Sequence, residues 1–233
     1  MSRFTFAKKG RRVAALGVAG LGVCAVLAAC SPVQAGSAAI VGNQRITVST
    51  LDTQVSNWET AAKSYGSSVQ LTSAEAPTQV LSWLIRFAVM NQVAAANDIS
   101  VSQAQAAASL SSLNAQAPQY GFTNAAGLLV GSGVPPQLFQ QVGLWNAQVT
   151  AYELKANGGQ QPTTHTQETN ITNAVNKAEC TAAKSLNIQV SPQFGRFDYA
   201  SATFGVVAAE DTLSRVAGTP SPASTEGLTP AAC

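Results

Sequence analysis

Ala76-Pro77-Thr78-Gln79-Val80-Leu81-Ser82-Trp83-Leu84-Ile85-Arg86-Phe87-Ala88-Val89-Met90, running on to Asn97, is the stretch whose reading decides the fold. At helical spacing Leu81, Leu84, Ile85 and Ala88 make one apolar face. Trp83, Phe87 and Met90 make a second, at i, i+4 and i+7. Between Val80 and Met90 only Ser82 and Arg86 are polar. A helix that is apolar over most of its circumference either runs through the middle of a bundle or presents one face to a partner.

Other helices surround it in the chain. Ser49-Thr50-Leu51-Asp52 starts one, with Ser49 as its cap and Leu51, Val55, Trp58, Ala62 and Tyr65 on one stripe. Ser102 caps another, Gln103 to about Ala115, whose Ala/Ser/Gln content suits an exposed position. Phe122 to Val130 reads as a short helix, and Pro135-Pro136 opens one to Ala156 with Leu138, Val142, Trp145 and Val149 along a side. A last helix, Gln167 to Leu186, buries Ile171, Val175, Ala178 and Ala182.

The strand signals lie near the two ends. Ala38-Ala39-Ile40-Val41, Gly42-Asn43-Gln44 and Arg45-Ile46-Thr47-Val48 read as a small β-hairpin, and Ile188-Gln189-Val190 as a short strand. Phe194 to Asp198 reads as turn-like, and from Ala217 the chain is rich in Pro, Ser, Thr and Ala. The fold class expected is therefore mainly α with a little β structure.

The first residues read as an address. Arg3, Lys8, Lys9, Arg11 and Arg12 precede an apolar run from Val13 to Ala29, shorter than the about 20 residues that a permanent spanning helix needs. This is the pattern of a signal peptide, residues 1–29. Leu27-Ala28-Ala29-Cys30 resembles a bacterial lipobox. Small side chains there fit a narrow peptidase pocket, and the Cys30 thiol takes the diacylglycerol. Residues 30–37 then form a tether and the anchored protein sits on the outer face of the cell membrane. Each buried CH₂ of the acyl chains contributes about 0.8 kcal/mol to that anchorage.

The chain has 233 residues, 46% of them hydrophobic but only 10% charged. Its 41 alanines carry much of the apolar fraction. The formal charge of +2 comes from the leader: eight basic and eleven acidic residues follow Cys30. No basic excess is left to neutralise phosphates, so nucleic acid is not an expected partner.

Catalytic and metal chemistry find few residues. The one histidine, His165, adjoins a Gly/Pro-rich linker, and no G-x-S-x-G, CxxC, HExxH, P-loop or GxGxxG occurs. No cofactor, metal or catalytic residue is assigned. Cys24 leaves with the leader, so Cys180 and Cys233 remain, in an oxidising compartment. Cys180 falls on the side of its helix away from Ile171 and Ala178, within reach of a tail ending in Cys233. The two form a structural bridge or are reactive thiols.

Three segments in order resemble the N-terminal chaperone domain of the SurA/PrsA-type extracytoplasmic folding factors. Ala39-Ile40-Val41-Gly42-Asn43-Gln44-Arg45-Ile46-Thr47 resembles the family's opening hairpin. Val80 to Ile85, with Ala94-Ala95-Ala96-Asn97-Asp98-Ile99-Ser100-Val101-Ser102, resembles its central helix and the segment after it. Asn187 to Asp198 is similar to the ending of related lipoproteins in high-GC Gram-positive bacteria, with Ser191 and Gln193 replacing that pattern's Asn and Arg. Family members with prolyl isomerase activity carry a parvulin domain where this chain has only about Asn157 to Thr166. The resemblance therefore implies a SurA-like helical domain over residues 38–200, with residues 201–233 a largely irregular extension. It also implies that Ala38–Val41 or Arg45–Val48 pairs with Ile188–Val190. The function implied is non-catalytic binding of exported, unfolded polypeptides by a lipid-anchored chaperone. The alternatives are an adaptor lipoprotein holding an envelope protein partner and, less in keeping with the residues, an isomerase. Candidate peptide contacts are Trp58, Tyr65, Trp83, Phe87, Met90, Phe139 and Trp145, because aromatic rings and methionine offer broad, adaptable apolar area.

Overall fold

Gly42-Asn43 closes a two-residue turn, and that turn sets the register of the sheet. Gly42 sits at φ +58, in the left-handed region that glycine enters without steric cost. A Cβ there would lie 2.9 Å from a Leu186 methyl, and the Gly42 N–H donates to the Leu186 carbonyl at 2.6 Å. The computed structural model describes residues 35–199 and 204–208. In it β1 (Ser37–Val41) and β2 (Gln44–Thr47) pair antiparallel, with Val41 opposite Gln44 and Ala39 opposite Ile46. β3 (Gln189–Val190) joins the other edge of β1, also antiparallel, giving the order β2-β1-β3. Of the two pairings expected for the late strand, the one with Ala38–Val41 forms.

Six α-helices lie among the described residues: α1 (Val48–Ala62), α2 (Ala76–Ala96), α3 (Gln103–Gln116), α4 (Ala125–Gly131), α5 (Phe139–Ala156) and α6 (His165–Ser185). Their starts follow local hydrogen bonding. Thr47 caps α1, its hydroxyl accepting from the Thr50 N–H at 3.0 Å. The expected cap, Ser49, is already inside that helix, because Thr47 ends β2 in the extended conformation a cap requires. Ser102 and Gln105 form a reciprocal capping box on α3, and Thr164 and Gln167 do so on α6. As expected, α3 buries no residue of its own.

The long apolar helix α2 is the centre of the domain. α2 packs against α1, α5, α6, β1 and β5. Val80, Leu81, Ile85, Val89 and Met90 are completely buried, each such side chain contributing about 1.5–3 kcal/mol by leaving water. One side of α2 joins a core with Leu51, Trp58, Ala183 and Ile188. On the other, Phe87 joins a second cluster with Leu129, Val134, Leu138 and Val142. Gly143 brings α5 close to α3: a Cβ there would fall 2.5 Å from the Ala106 carbonyl oxygen.

Two further strands follow α6. The segment read as turn-like contains β4 (Arg196–Asp198), which pairs antiparallel with β5 (Gly205–Val207). Ordered structure thus continues past residue 200, where the domain boundary was expected. Two polar residues of α2, Ser82 and Arg86, hold this hairpin. The Ser82 hydroxyl accepts from the Val206 N–H at 2.9 Å, and the Arg86 Nε–H donates to the Phe204 carbonyl at 2.9 Å. Phe197 stacks edge-on to both Tyr199 and Phe204, at 4.9 and 5.2 Å between centroids.

Candidate functional site

The second apolar face of α2 meets α5 in an aromatic junction. Trp83 stands edge-on to Trp145, 5.7 Å between centroids, and tilted against Phe87 at 5.8 Å. The Trp83 indole N–H donates to the Ser132 carbonyl at 2.9 Å. The Arg86 guanidinium lies 5.5 Å from the Trp83 ring, near enough for a cation–π contact. Phe139 packs beside this junction, where the two cores meet.

Beside the junction a cleft of about 360 Å³ opens between β2 and α5, with α2 beneath. α2 contributes Leu84, Phe87, Ala88 and Asn91, and α5 contributes Gln141, Leu144, Trp145 and Gln148. Both sets follow i, i+3, i+4, i+7 spacing, so each is one stripe of its helix. β2 supplies Gln44, Arg45 and Ile46 on the remaining side. The Gln148 amide donates to the Asn91 side-chain oxygen at 3.0 Å, fixing two polar groups at one end of an otherwise apolar floor. The Trp145 indole nitrogen is buried with no hydrogen-bond partner among the described residues, an arrangement that costs about 1–3 kcal/mol.

The seven candidate contacts separate. Phe87 and Trp145 line the cleft; Trp83 does not line it but packs on both of them, and Phe139 packs against the two cores. Trp58 is 2% exposed and donates to the Val130 carbonyl at 2.8 Å, while Met90 is completely buried. Both are closed inside the core, which corrects their reading as client contacts. The cause is that α1, which carries Trp58, packs against α2 and α4, while α1 and α6 both pack against α2, which carries Met90. Tyr65 is half-buried and its ring abuts Gly127 of α4. Leu84, Leu144 and the free edge of β2 were not singled out. The stripe Gln141, Leu144, Trp145, Gln148 is the signal for Leu144, hidden because α5 carries a neighbouring, more apolar stripe through Val142 and Val149.

Arg86 of α2 and Glu179 of α6 are half-buried opposite charges that act on each other electrostatically. Burial holds the Glu179 carboxyl above its ordinary value of 4.5, with the Arg86 charge pulling the other way. Burial likewise lowers Arg86, against the opposing attraction of Glu179. Cys180, expected to face solvent, is half-buried and disulfide-bonded. Its expected partner Cys233 lies outside the described residues, as does Cys30. No helix among the described residues is long and apolar enough to cross a membrane. Among them no three His, Cys, Asp or Glu side chains group as a metal site.

Comparison with known proteins gives one family. The family model described as SurA-like N-terminal domain matches residues 6–126, ending at the start of α4. No curated protein and no solved structure matches the chain. The matched part contains the opening hairpin and the central helix, but the Asn187–Asp198 segment lies beyond it. The later elements α5, α6 and β3 nonetheless complete the same core, since β3 pairs with β1 and α5 forms one wall of the cleft. The chain is mainly helical, with small antiparallel strand pairs near its ends. With half of its length matched, including the central helix α2, the chain belongs to the SurA-like N-terminal domain family, a family of extracytoplasmic chaperone modules.

Proposed function

We propose that this protein is a membrane-anchored extracytoplasmic chaperone that holds exported, unfolded polypeptides without catalysing a reaction on them. Cys30 carries the lipid anchor, and the domain from Ala38 onward lies on the outer face of the cell membrane. The observation that carries this reading is the cleft beside α2: an apolar floor of Leu84, Phe87, Leu144 and Trp145 walled by side-chain amides, on a domain of a chaperone family. Such a floor accepts many apolar side chains, and amides bond peptide groups without selecting a sequence. Low charge density suits the same role, because clients of either net charge are tolerated. The test is suppression of aggregation. Full-length protein in mild detergent, mixed with a chemically denatured client during dilution, lowers light scattering in proportion to its concentration. Unchanged scattering at a tenfold molar excess, with a single stable partner recovered on pull-down from envelope extracts, refutes the chaperone and favours the adaptor reading.

A further inference from the structure

Among the described residues the β2 strand has one edge on β1 and the other free, because the sheet order is β2-β1-β3. The two-residue turn fixes which groups point where. Val41 and Gln44 close the hairpin opposite each other, and in such a hairpin that pair exchanges both backbone hydrogen bonds. Groups two residues on point the same way, so Gln44 and Ile46 face β1. The Val48 N–H follows this alternation and bonds the Gly36 carbonyl at 2.9 Å. Arg45 therefore directs its N–H and C=O outward. That free edge borders the cleft whose floor is Leu84, Phe87, Leu144 and Trp145.

We propose that the free edge of β2 and this cleft together receive an extended segment of client polypeptide as an added β-strand, with alternate client side chains entering the cleft. The inference rests on the chaperone reading and specifies how that site binds. A strand uses both features at once: its backbone meets Arg45 and every second side chain points to one face. A helix has no free N–H groups along its length to offer the edge, only those of its first turn, and an acyl chain has none at all. Charge separates the remaining occupants. Arg45 carries the single formal charge among the residues lining the cleft, and its guanidinium donates to the Ala35 carbonyl at 2.7 Å, which keeps it along the hairpin. Two copies paired through β2 about a twofold axis would bring Arg45 against Arg45, and like charges across a strand pair repel. A client strand with an acidic residue opposite Arg45 is favoured for the same reason.

The experiment uses the full chain in mild detergent and two fluorescein-labelled nonapeptides of alternating valine and threonine, one with a central aspartate and one with a central lysine. Anisotropy titrations are expected to show the aspartate peptide bound about two- to fivefold more tightly. Arg45→Ala removes that preference while keeping the outward N–H. Arg45→Pro removes the N–H as well, leaving the inward bonds of Gln44 and Ile46 intact, and weakens both peptides by a further three- to tenfold or so. Leu144→Glu weakens both by placing charge on the floor. If Arg45→Pro and Leu144→Glu keep the wild-type circular dichroism and bind as wild type does, the added-strand site is overturned. Should either variant unfold, amide exchange on the wild type decides: saturating peptide slows exchange of the Arg45 N–H, and no slowing overturns the proposal. A dimer in sedimentation that buries Arg45 also overturns it. Failure of the wild type to bind either peptide or reduced carboxymethylated α-lactalbumin sinks the chaperone reading itself, whereas client binding indifferent to Arg45 and Leu144 sinks only the site.

Discussion

Replacing Ser82 by alanine tests how the C-terminal hairpin is held to the central helix. The Ser82 side chain is 7% exposed and makes two bonds: it donates to the Thr78 carbonyl at 2.8 Å and accepts from the Val206 N–H at 2.9 Å. Val206 is itself 8% exposed, so water does not replace the lost acceptor. An orphaned buried amide costs about 1–3 kcal/mol. Alanine recovers about 0.5 kcal/mol through its better helix propensity, leaving a net loss of about 0.5–2.5 kcal/mol. For a domain of this size that lowers the melting temperature by about 1–10 °C. Ser112→Ala is the control, since Ser112 is exposed and only back-bonds to the Ser109 carbonyl at 2.8 Å. Calorimetry of both variants, with amide exchange at Val206, makes the comparison. If Ser82→Ala melts with the control and the Val206 amide exchanges no faster than in wild type, the hairpin is not fastened through this hydroxyl.

Other perturbations have equally definite outcomes. Gly143→Ala places a methyl 2.5 Å from the Ala106 carbonyl oxygen and 3.1 Å from the Leu110 Cβ; forcing α3 off α5 costs about 1–3 kcal/mol in urea unfolding, despite alanine's helix propensity. Glu179 has a folded-state pKa above its unfolded one, so the folded protein holds the extra proton. Its contribution to stability is present at low pH and is lost as pH rises from about 4.5 through the raised value. Melting temperatures of Glu179→Gln across that window fall less steeply with pH than those of wild type, and identical slopes reject the assignment. Cys30→Ala abolishes incorporation of a fatty-acid probe in cells, while a labelled mutant rules out lipidation at that thiol.

Local chemistry explains what was legible before folding. The hairpin follows from Gly-Asn between β-branched residues, and the helices from apolar spacing and from capping residues such as Ser102. The central place of α2 follows from a surface with almost no polar side. Where the reading missed, the deciding contact is distant. Thr47 rather than Ser49 caps α1 because the extent of β2 fixes where the extended backbone ends. β4 is three residues long and carries no pattern of its own; it is a strand because β5 pairs with it.

The site divides along the same line. Aromatic composition pointed to the right helices, and of the residues named, Phe87 and Trp145 line the cleft. Periodicity shows which residues share a helix face but not which faces another element covers. Trp58 and Met90 are therefore core, and Leu84 and Leu144 cleft, only because of how α1, α5 and α6 pack around α2. Ser82 and Arg86 give the same lesson from the polar side. Both stood out as exceptions on an apolar helix, but what they bond lies more than a hundred residues away in sequence. By itself the sequence determined the mainly helical class, the opening hairpin and the central helix, because these depend on neighbours a few residues apart. Tertiary structure alone decided the cleft, the fastening of the C-terminal hairpin and the free edge of β2, because each requires elements remote in the chain to meet.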